Sequence, residues 1–340
     1  MKARYAVIGG GGFVGGAIVR KLREQGHDVA SIARGSYPEL DALGVASHRA
    51  DISADPSTWG HLLKGCSGVF HTAAKVDMWG RHGDFFKANV VGTRNVIEAC
   101  RRAGVQRLVF TSSPSVVHDG RDLCGIDESY PYPRRFHAFY PMTKAQAEQE
   151  VRAADAAGSL RTVALRPHLI WGPHDSHLVP TIVERARKGW LRRIGSGENL
   201  VDLTFIDDCV SAHLCAMQTL ETSPERAGGK AYFISQGEPV RLWAWIDDVL
   251  RAHGMRPVSS SVPKGVALSL AWAMEGIAAG LLRVGIQVKP LLTRFLVSEM
   301  ATSHYFSIQN AKRDLGFVPS CSIAEALERT FGASCKSRLS

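Results

Sequence analysis

Tyr5-Ala6-Val7-Ile8-Gly9-Gly10-Gly11-Gly12-Phe13-Val14-Gly15-Gly16 stands at the head of the chain, and its reading decides the fold. Tyr5 to Ile8 is a short apolar run of the kind that forms a buried parallel strand. After the glycines, Phe13, Ile18, Val19 and Leu22 recur at helical spacing until Gly26. Strand, glycine turn and helix together make a dinucleotide signal, because glycines let the backbone approach a pyrophosphate at a helix N-terminus. A glycine-rich surface loop is the competing reading, and the flanking strand and helix argue against it.

The rest of the chain extends this unit. Its 340 residues suffice for a large α/β domain and a smaller one, and 45% hydrophobic with 21% charged residues suits a globular protein. Seven cysteines without a CxxC pair argue against a disulfide framework and a zinc ribbon. No leader precedes the first strand, so a cytoplasmic location is expected. The net charge of +9 is concentrated at Arg185, Arg187, Lys188, Arg192 and Arg193 around Trp190. A solvated helix face, a phosphorylated cofactor, an anionic substrate or an anionic membrane surface each account for it. No DNA-binding motif accompanies it, so nucleic acid is not expected as a partner.

Asp28 to Ala33 reads as a second strand ending at Arg34-Gly35, where an acid would select NAD and an arginine accommodates the 2′-phosphate of NADP. A third strand near Val45–His48 leads to Asp51-Ile52; Asp51 either reaches an adenine edge or caps the helix near Pro56. Gly68–His71 is a fourth strand, followed by small residues, and a helix is expected from about Asp84 to Ala103. Asn89 within it reads as exposed or back-bonded. Arg107–Ser113 is a strand running into hydroxyls, with Ser115 expected on the same face as Ser113. Tyr140 and Lys144 then share one helical face.

Thr162–Pro167 is a sixth strand, and Val201–Phe205 and Ala231–Ser235 read as strands flanking a helix opened by Asp207-Asp208. His174, Asp175 and His177 lack metal-site spacing, so no metal is expected. Lys264–Arg283 is mostly apolar, but Glu275 breaks any bilayer span. A buried or lid helix is expected there, with shallow membrane association as the second choice.

Gly9-x-x-Gly12-x-x-Gly15, His71-Thr-Ala-Ala74, Asn89-x-x-Gly92-Thr93, Thr111-Ser-Ser113, Tyr140-x-x-x-Lys144 and Arg166-Pro167 resemble the extended short-chain dehydrogenases/reductases. Leu165–Pro173, Ala231–Ser235 and Pro290–Phe295 are similar to the 3β-hydroxysteroid dehydrogenase branch, most closely the 2-alkyl-3-oxoalkanoate reductases of bacterial long-chain olefin synthesis. The resemblance covers nearly the whole chain, with one departure: the family usually has Thr before the first glycine, and this chain has Ile8, losing a hydroxyl that would order the turn.

The resemblance implies a Rossmann-type doubly wound parallel sheet with a smaller, interleaved C-terminal substrate region. The expected division is residues 1–172 and 200–235 for dinucleotide binding, and 173–199 and 236–340 for substrate. It implies Tyr140 as acid/base, Lys144 as the cation lowering its pKa, and Ser113 as hydrogen-bond donor to the substrate oxygen. Gly9, Gly12, Phe13, Val14 and Gly15 would hold the pyrophosphate and Arg34 the 2′-phosphate. Asp51 and Ile52 would flank adenine, Ala73 and Ala74 the cofactor backbone, and Pro167 the nicotinamide, with Tyr140 and Lys144 also touching the cofactor. Lys75, Trp79, His168 and Trp171 are candidates for the substrate wall, core packing being the alternative for both tryptophans.

The expected function is therefore interconversion of a ketone and a secondary alcohol on a bulky lipophilic substrate, with NADP(H) preferred over NAD(H). The alternatives are an NAD-dependent nucleotide-sugar epimerase or dehydratase and a non-catalytic NADP(H) sensor. By analogy with the fold, two exposed helices would pair in a homodimer.

Overall fold

The computed structural model describes residues 2–332. Seven parallel strands form the main sheet: β1 (Arg4–Ile8), β2 (Asp28–Ala33), β3 (Ala46–Arg49), β4 (Gly68–His71), β5 (Arg107–Thr111), β6 (Arg161–Pro167) and β7 (Lys230–Ile234). Their order is β7-β6-β5-β4-β1-β2-β3. β1 pairs with both β2 and β4, so the chain leaves it in opposite directions and opens a crevice at its carboxyl end. Four helices position the site: α1 (Phe13–Glu24), α2 (Gly92–Ala103), α3 (Phe139–Ala153) and α4 (Ile206–Thr222).

The central strands are apolar on both faces because helices cover both. Val7, Phe70, Val109 and Val163 meet α1 and α4 on one side, while Ala6, Val69, Leu108 and Phe110 meet α2 and α3 on the other. The helix expected from Asp84 is composite. A short turn, His82–Phe85, passes through a π-helical turn, Phe86–Val91, into α2.

A second core gathers Trp171, Trp243 and Trp245 with Val201, Phe205, Ile246 and Val249. A small sheet beside it orders Val240–Arg241, Leu200–Val201, His304–Phe306 and Leu123–Ile126. Residues 123–126 and 200–201 thus pair with strands of this lobe and not with the large sheet. Buried Asp208, in the first turn of α4, accepts a hydrogen bond from Ser320 N–H (2.7 Å) and one from the Gln236 amide, tying the end of the described chain to the main sheet. Helix α5 (Lys264–Arg283) lies on the lobe's outside.

Candidate active site

The glycine turn is shaped by close approach. Gly9 has φ 88°, and a Cβ there would lie 2.7 Å from the Ala73 nitrogen. A Cβ on Gly15 would lie 2.1 Å from the Gly9 carbonyl oxygen, so α1 can begin this near β1 only with glycine. Gly12 immediately precedes Phe13, and its amide donates to the Gly9 carbonyl (2.9 Å). These residues fit a pyrophosphate: bare backbone at the N-terminus of a helix whose first turn carries no acid. The turn is braced from the first residue after β4. Thr72 Oγ1 donates to the Ile8 carbonyl at 3.0 Å.

At the end of β2, Arg34 is exposed and its carbonyl accepts from Arg49 Nε (3.0 Å), which adds a second guanidinium to that rim. Asp51 does not cap the helix near Pro56. Its Oδ1 accepts from Ser53 N–H and Oγ, which hold the carboxyl below its usual range, and Asp55 caps Ser57 instead. Ile52 packs against Gly92, where a Cβ would meet its Cδ1 at 3.0 Å. Sequence reasoning overlooked Tyr37, whose ring lies so close over the turn that a Cβ on Gly11 would be 2.1 Å from it.

Asn89 is buried, contrary to expectation. The π-helical turn directs it inward, where Oδ1 accepts from Lys75 N–H (2.7 Å) and Nδ2 donates to the Lys75 carbonyl (3.2 Å) and Thr143 Oγ1 (3.0 Å). It fastens the loop after β4 to α3. Beside it, the His71 and Thr93 side chains share a 3.0 Å hydrogen bond, and Thr93 Oγ1 donates to the Asn89 carbonyl.

Helix α3 starts at Phe139, so Tyr140 and Pro141 occupy its first turn and Lys144 follows on the same face. The Ser113 hydroxyl adjoins the Tyr140 phenol and favours its ionised form, and Ser113 Oγ lies 2.9 Å from Ser115 Oγ. Ser115 is not on the strand. β5 ends at Thr111, and Ser113 Oγ caps a 3-10 turn, Pro114–Val117, by accepting from Ser115 N–H (3.2 Å). Burial pushes the Tyr140 phenol up to about 12, against the influence of the Ser113 hydroxyl, and the Glu299 carboxylate adds to the rise. The expected lowering by Lys144 is not what the geometry supplies. Lys144 Nζ donates to the Thr111 carbonyl (2.6 Å) and lies 4.0 Å from the Phe110 ring centre. Burial lowers its pKa to about 7, opposed by Glu148 one turn on.

Glu148 was not singled out from the sequence, yet it fixes α3. It is fully buried and paired with Arg166 of β6 at 2.6 Å, and Tyr132 Oη donates to it at 2.6 Å. Its signal was the i+4 spacing from Lys144.

On the substrate side the four candidates separate. Half-buried Lys75 and Trp79 lie in the loop after β4, where Lys75 Nζ pairs with Asp77 (3.1 Å). His168 is enclosed, with its ring nitrogen 2.6 Å from His304, and burial drives its pKa well down. Trp171 is not a wall residue: Phe205, Trp245 and Phe331 surround it in the second core. Pro167 ends β6, and Ala73 and Ala74 follow β4 at the crevice. Asp175 spends its carboxylate on the His177, Leu178 and Val179 amides at the next helix start.

The glycine turn follows β1, and Ser113 follows β5, at the same carboxyl edge of the main sheet. Residues 6–264 match the model of the 3-beta hydroxysteroid dehydrogenase/isomerase family. The chain belongs to that family. A 2-alkyl-3-oxoalkanoate reductase of Stenotrophomonas maltophilia is 45% identical over 97% of this chain and 99% of its own length. A decarboxylating sterol-4-alpha-carboxylate 3-dehydrogenase of Mus musculus is 36% identical, covering 96% and 90%. Among solved structures, gox2253 is 26% identical with a TM-score of 0.76, covering 99% of this chain and 98% of its own. MoeE5, solved with UDP-glucose and NAD, is 23% identical with a TM-score of 0.72 over 98% and 99%, and it shares the fold. Family membership makes the chain an NAD(P)-dependent oxidoreductase.

Proposed function

We propose that the chain is an NADP(H)-dependent reductase that converts a 2-alkyl-3-oxo acid, or a ketone of similar bulk and lipophilicity such as a 3-ketosteroid, to the secondary alcohol. The grouping of Ser113, Tyr140 and Lys144 at the carboxyl end of β5, beside the glycine turn, carries the reading. The names of its relatives support the substrate class, and Arg34, in place of an acid after β2, supports NADP(H).

Bound nicotinamide would supply the hydride. The protein supplies the rest. Ser113 donates a hydrogen bond to the ketone oxygen, and Tyr140, held protonated by burial, gives that oxygen its proton. The Thr111 carbonyl and the Phe110 face hold Lys144, while Glu148 and Arg166 fix the helix carrying both.

Oxidation of NADPH and of NADH, followed with 2-alkyl-3-oxo acids, 3-ketosteroids and sugar nucleotides, tests the reading. NADPH consumption with the first two classes is expected; consumption of NADH alone with sugar nucleotides would refute it. Tyr140→Phe should lower turnover by about 10²- to 10⁴-fold while leaving NADPH affinity nearly unchanged.

A further inference from the structure

Lys75 is fixed firmly by its main chain. It follows Ala74 directly, on the loop whose Ala73 nitrogen crowds Gly9. Asn89 takes both of its backbone groups, accepting from the N–H (2.7 Å) and donating to the carbonyl (3.2 Å). The same Asn89 amide donates to Thr143 Oγ1 (3.0 Å), which donates in turn to the Tyr140 carbonyl (3.1 Å). A run of hydrogen bonds thus ties the Lys75 backbone to the turn that carries Tyr140.

The ammonium is held more loosely. Lys75 Nζ pairs with Asp77 Oδ2 (3.1 Å), and Lys289 Nζ takes the other oxygen, Oδ1, at 2.8 Å. Burial opposes ionisation of Asp77, but the two lysines outweigh it and hold the carboxyl below its usual range. The two pairs do different work. Lys289 joins the loop to the segment after α5, whereas Lys75 and Asp77 share one short loop and their pair bridges nothing. Both of these side chains are 30% exposed, so their pair is screened and easily exchanged. If Lys75 leaves, Asp77 keeps Lys289. The Phe85 ring, its centre 5.3 Å from Lys75 Nζ, backs the ammonium with a face that tolerates a cation.

The other cations named in the site are committed. Lys144 donates to the Thr111 carbonyl, and Arg166 is enclosed against Glu148. The Glu299 carboxylate, whose field reaches Tyr140, would repel a second carboxylate. In a 2-alkyl-3-oxo acid a single carbon separates the carboxylate from the ketone, so the cation that meets it must stand near Tyr140. A carboxylate drawn out of water into the crevice needs an opposite charge beside it.

We propose that Lys75 selects an acid as substrate: its ammonium leaves Asp77 for the carboxylate of the 2-alkyl-3-oxo acid. Asp77, retained by Lys289, is the internal stand-in that occupies Lys75 until substrate arrives. The inference rests on the proposed function for its ketone and deepens it by naming the group that recognises the acid.

Steady-state kinetics of the full chain with NADPH, using a short-chain 2-alkyl-3-oxo acid and its methyl ester, test the assignment. The ester keeps the ketone and loses the charge, so the ratio of kcat/KM for acid to that for ester isolates the contact. Lys75→Met should lower this ratio about 10- to 100-fold, chiefly through the KM of the acid. Lys75→Arg should restore most of it. Asp77→Asn removes the stand-in and should raise the ratio about 2- to 5-fold. A ratio unmoved by Lys75→Met overturns the proposal. So does an unmoved or lowered ratio in Asp77→Asn, because an internal rival for the ammonium must weaken acid binding, whereas a purely structural pair would make both variants worse. Calorimetric binding of the 2-alkyl-3-hydroxy acid and its methyl ester, with NADPH present, separates this from the proposed activity. Lys75-dependent preference for the acid without turnover of either ketone sinks the activity alone. Turnover with an unchanged ratio sinks the role of Lys75 alone, and binding of neither compound sinks both.

Discussion

Helices α3 and α5 are built from similar parts and used in opposite senses. Each turns small residues inward, Ala145 and Ala147 in α3, Ala267 and Ala271 in α5, and each buries one glutamate against an arginine. In α3 the inward face also carries Lys144, with Tyr140 in the first turn, so close packing against the sheet fixes where both side chains stand. In α5 the buried positions carry alanines and Glu275, while Val266, Leu270, Trp272 and Ile277 are exposed. Helical spacing therefore identifies a face without saying which side is functional.

The two glutamates give the sharpest break. Both Glu148 and Arg166 are almost wholly enclosed, with side chains 0% and 1% exposed, whereas Arg294 opposite Glu275 is 44% exposed. Glu148→Gln leaves a buried guanidinium uncompensated and should cost about 3–5 kcal/mol. For Glu275→Gln, whose partner reaches water, a loss nearer about 1–2 kcal/mol is expected. Urea unfolding of both variants measures the difference. Equal losses would erase the distinction between the two helices.

Lys144 sharpens the contrast through pH. Burial lowers its pKa from 10.5 to about 7. Between those values the unfolded chain binds a proton that the native chain lacks, so this group makes stability rise with pH. Its penalty is complete below pH 7 and gone by about pH 10.5. Tyr140 acts in the opposite direction higher up: its pKa is raised from 10.0 to about 12, so the native chain retains a proton there and stability falls. Lys144→Met should remove the rise between pH 7 and pH 10, leaving slopes from other groups intact. Urea midpoints of both proteins across that range decide it, and parallel curves would show that the amine is not desolvated.

The strands and the glycine turn were legible because their signals are local. β2 was bounded at Asp28 and Ala33, and most other main-sheet strands fell within a residue or two of their place, since short apolar runs between glycines and polar turns admit little else. The shared helix of Tyr140 and Lys144 was legible by spacing, and the comparisons bear out the family reading that the motifs supported. Features that depend on contacts distant in sequence were not. The inward turn of Asn89 needs a π-helical register that periodicity does not encode. Trp171 was left between substrate wall and core packing, because the partners that place it in the core, Trp245 and Phe331, come from far along the chain. The hydrogen bond of Lys144 Nζ was not readable from local spacing either, because its acceptor is the Thr111 carbonyl, 33 residues back.

The smallest expected effect decides most about α5. Leu270→Gln replaces an exposed side chain and removes no contact in the second core, so stability should change by no more than about 0.5 kcal/mol. Ala271→Leu, one residue on, drives a branched side chain into the packed inner face and should cost about 1–3 kcal/mol. If the helix were a core helix of ordinary polarity, the order would reverse, and Leu270 would be the costly site. Thermal or urea unfolding of the two variants reads that order directly. A neutral Leu270→Gln beside a damaging Ala271→Leu would mean that bulky apolar side chains lie outward on α5 without contributing to folding, which leaves an interaction outside the chain as their physical role.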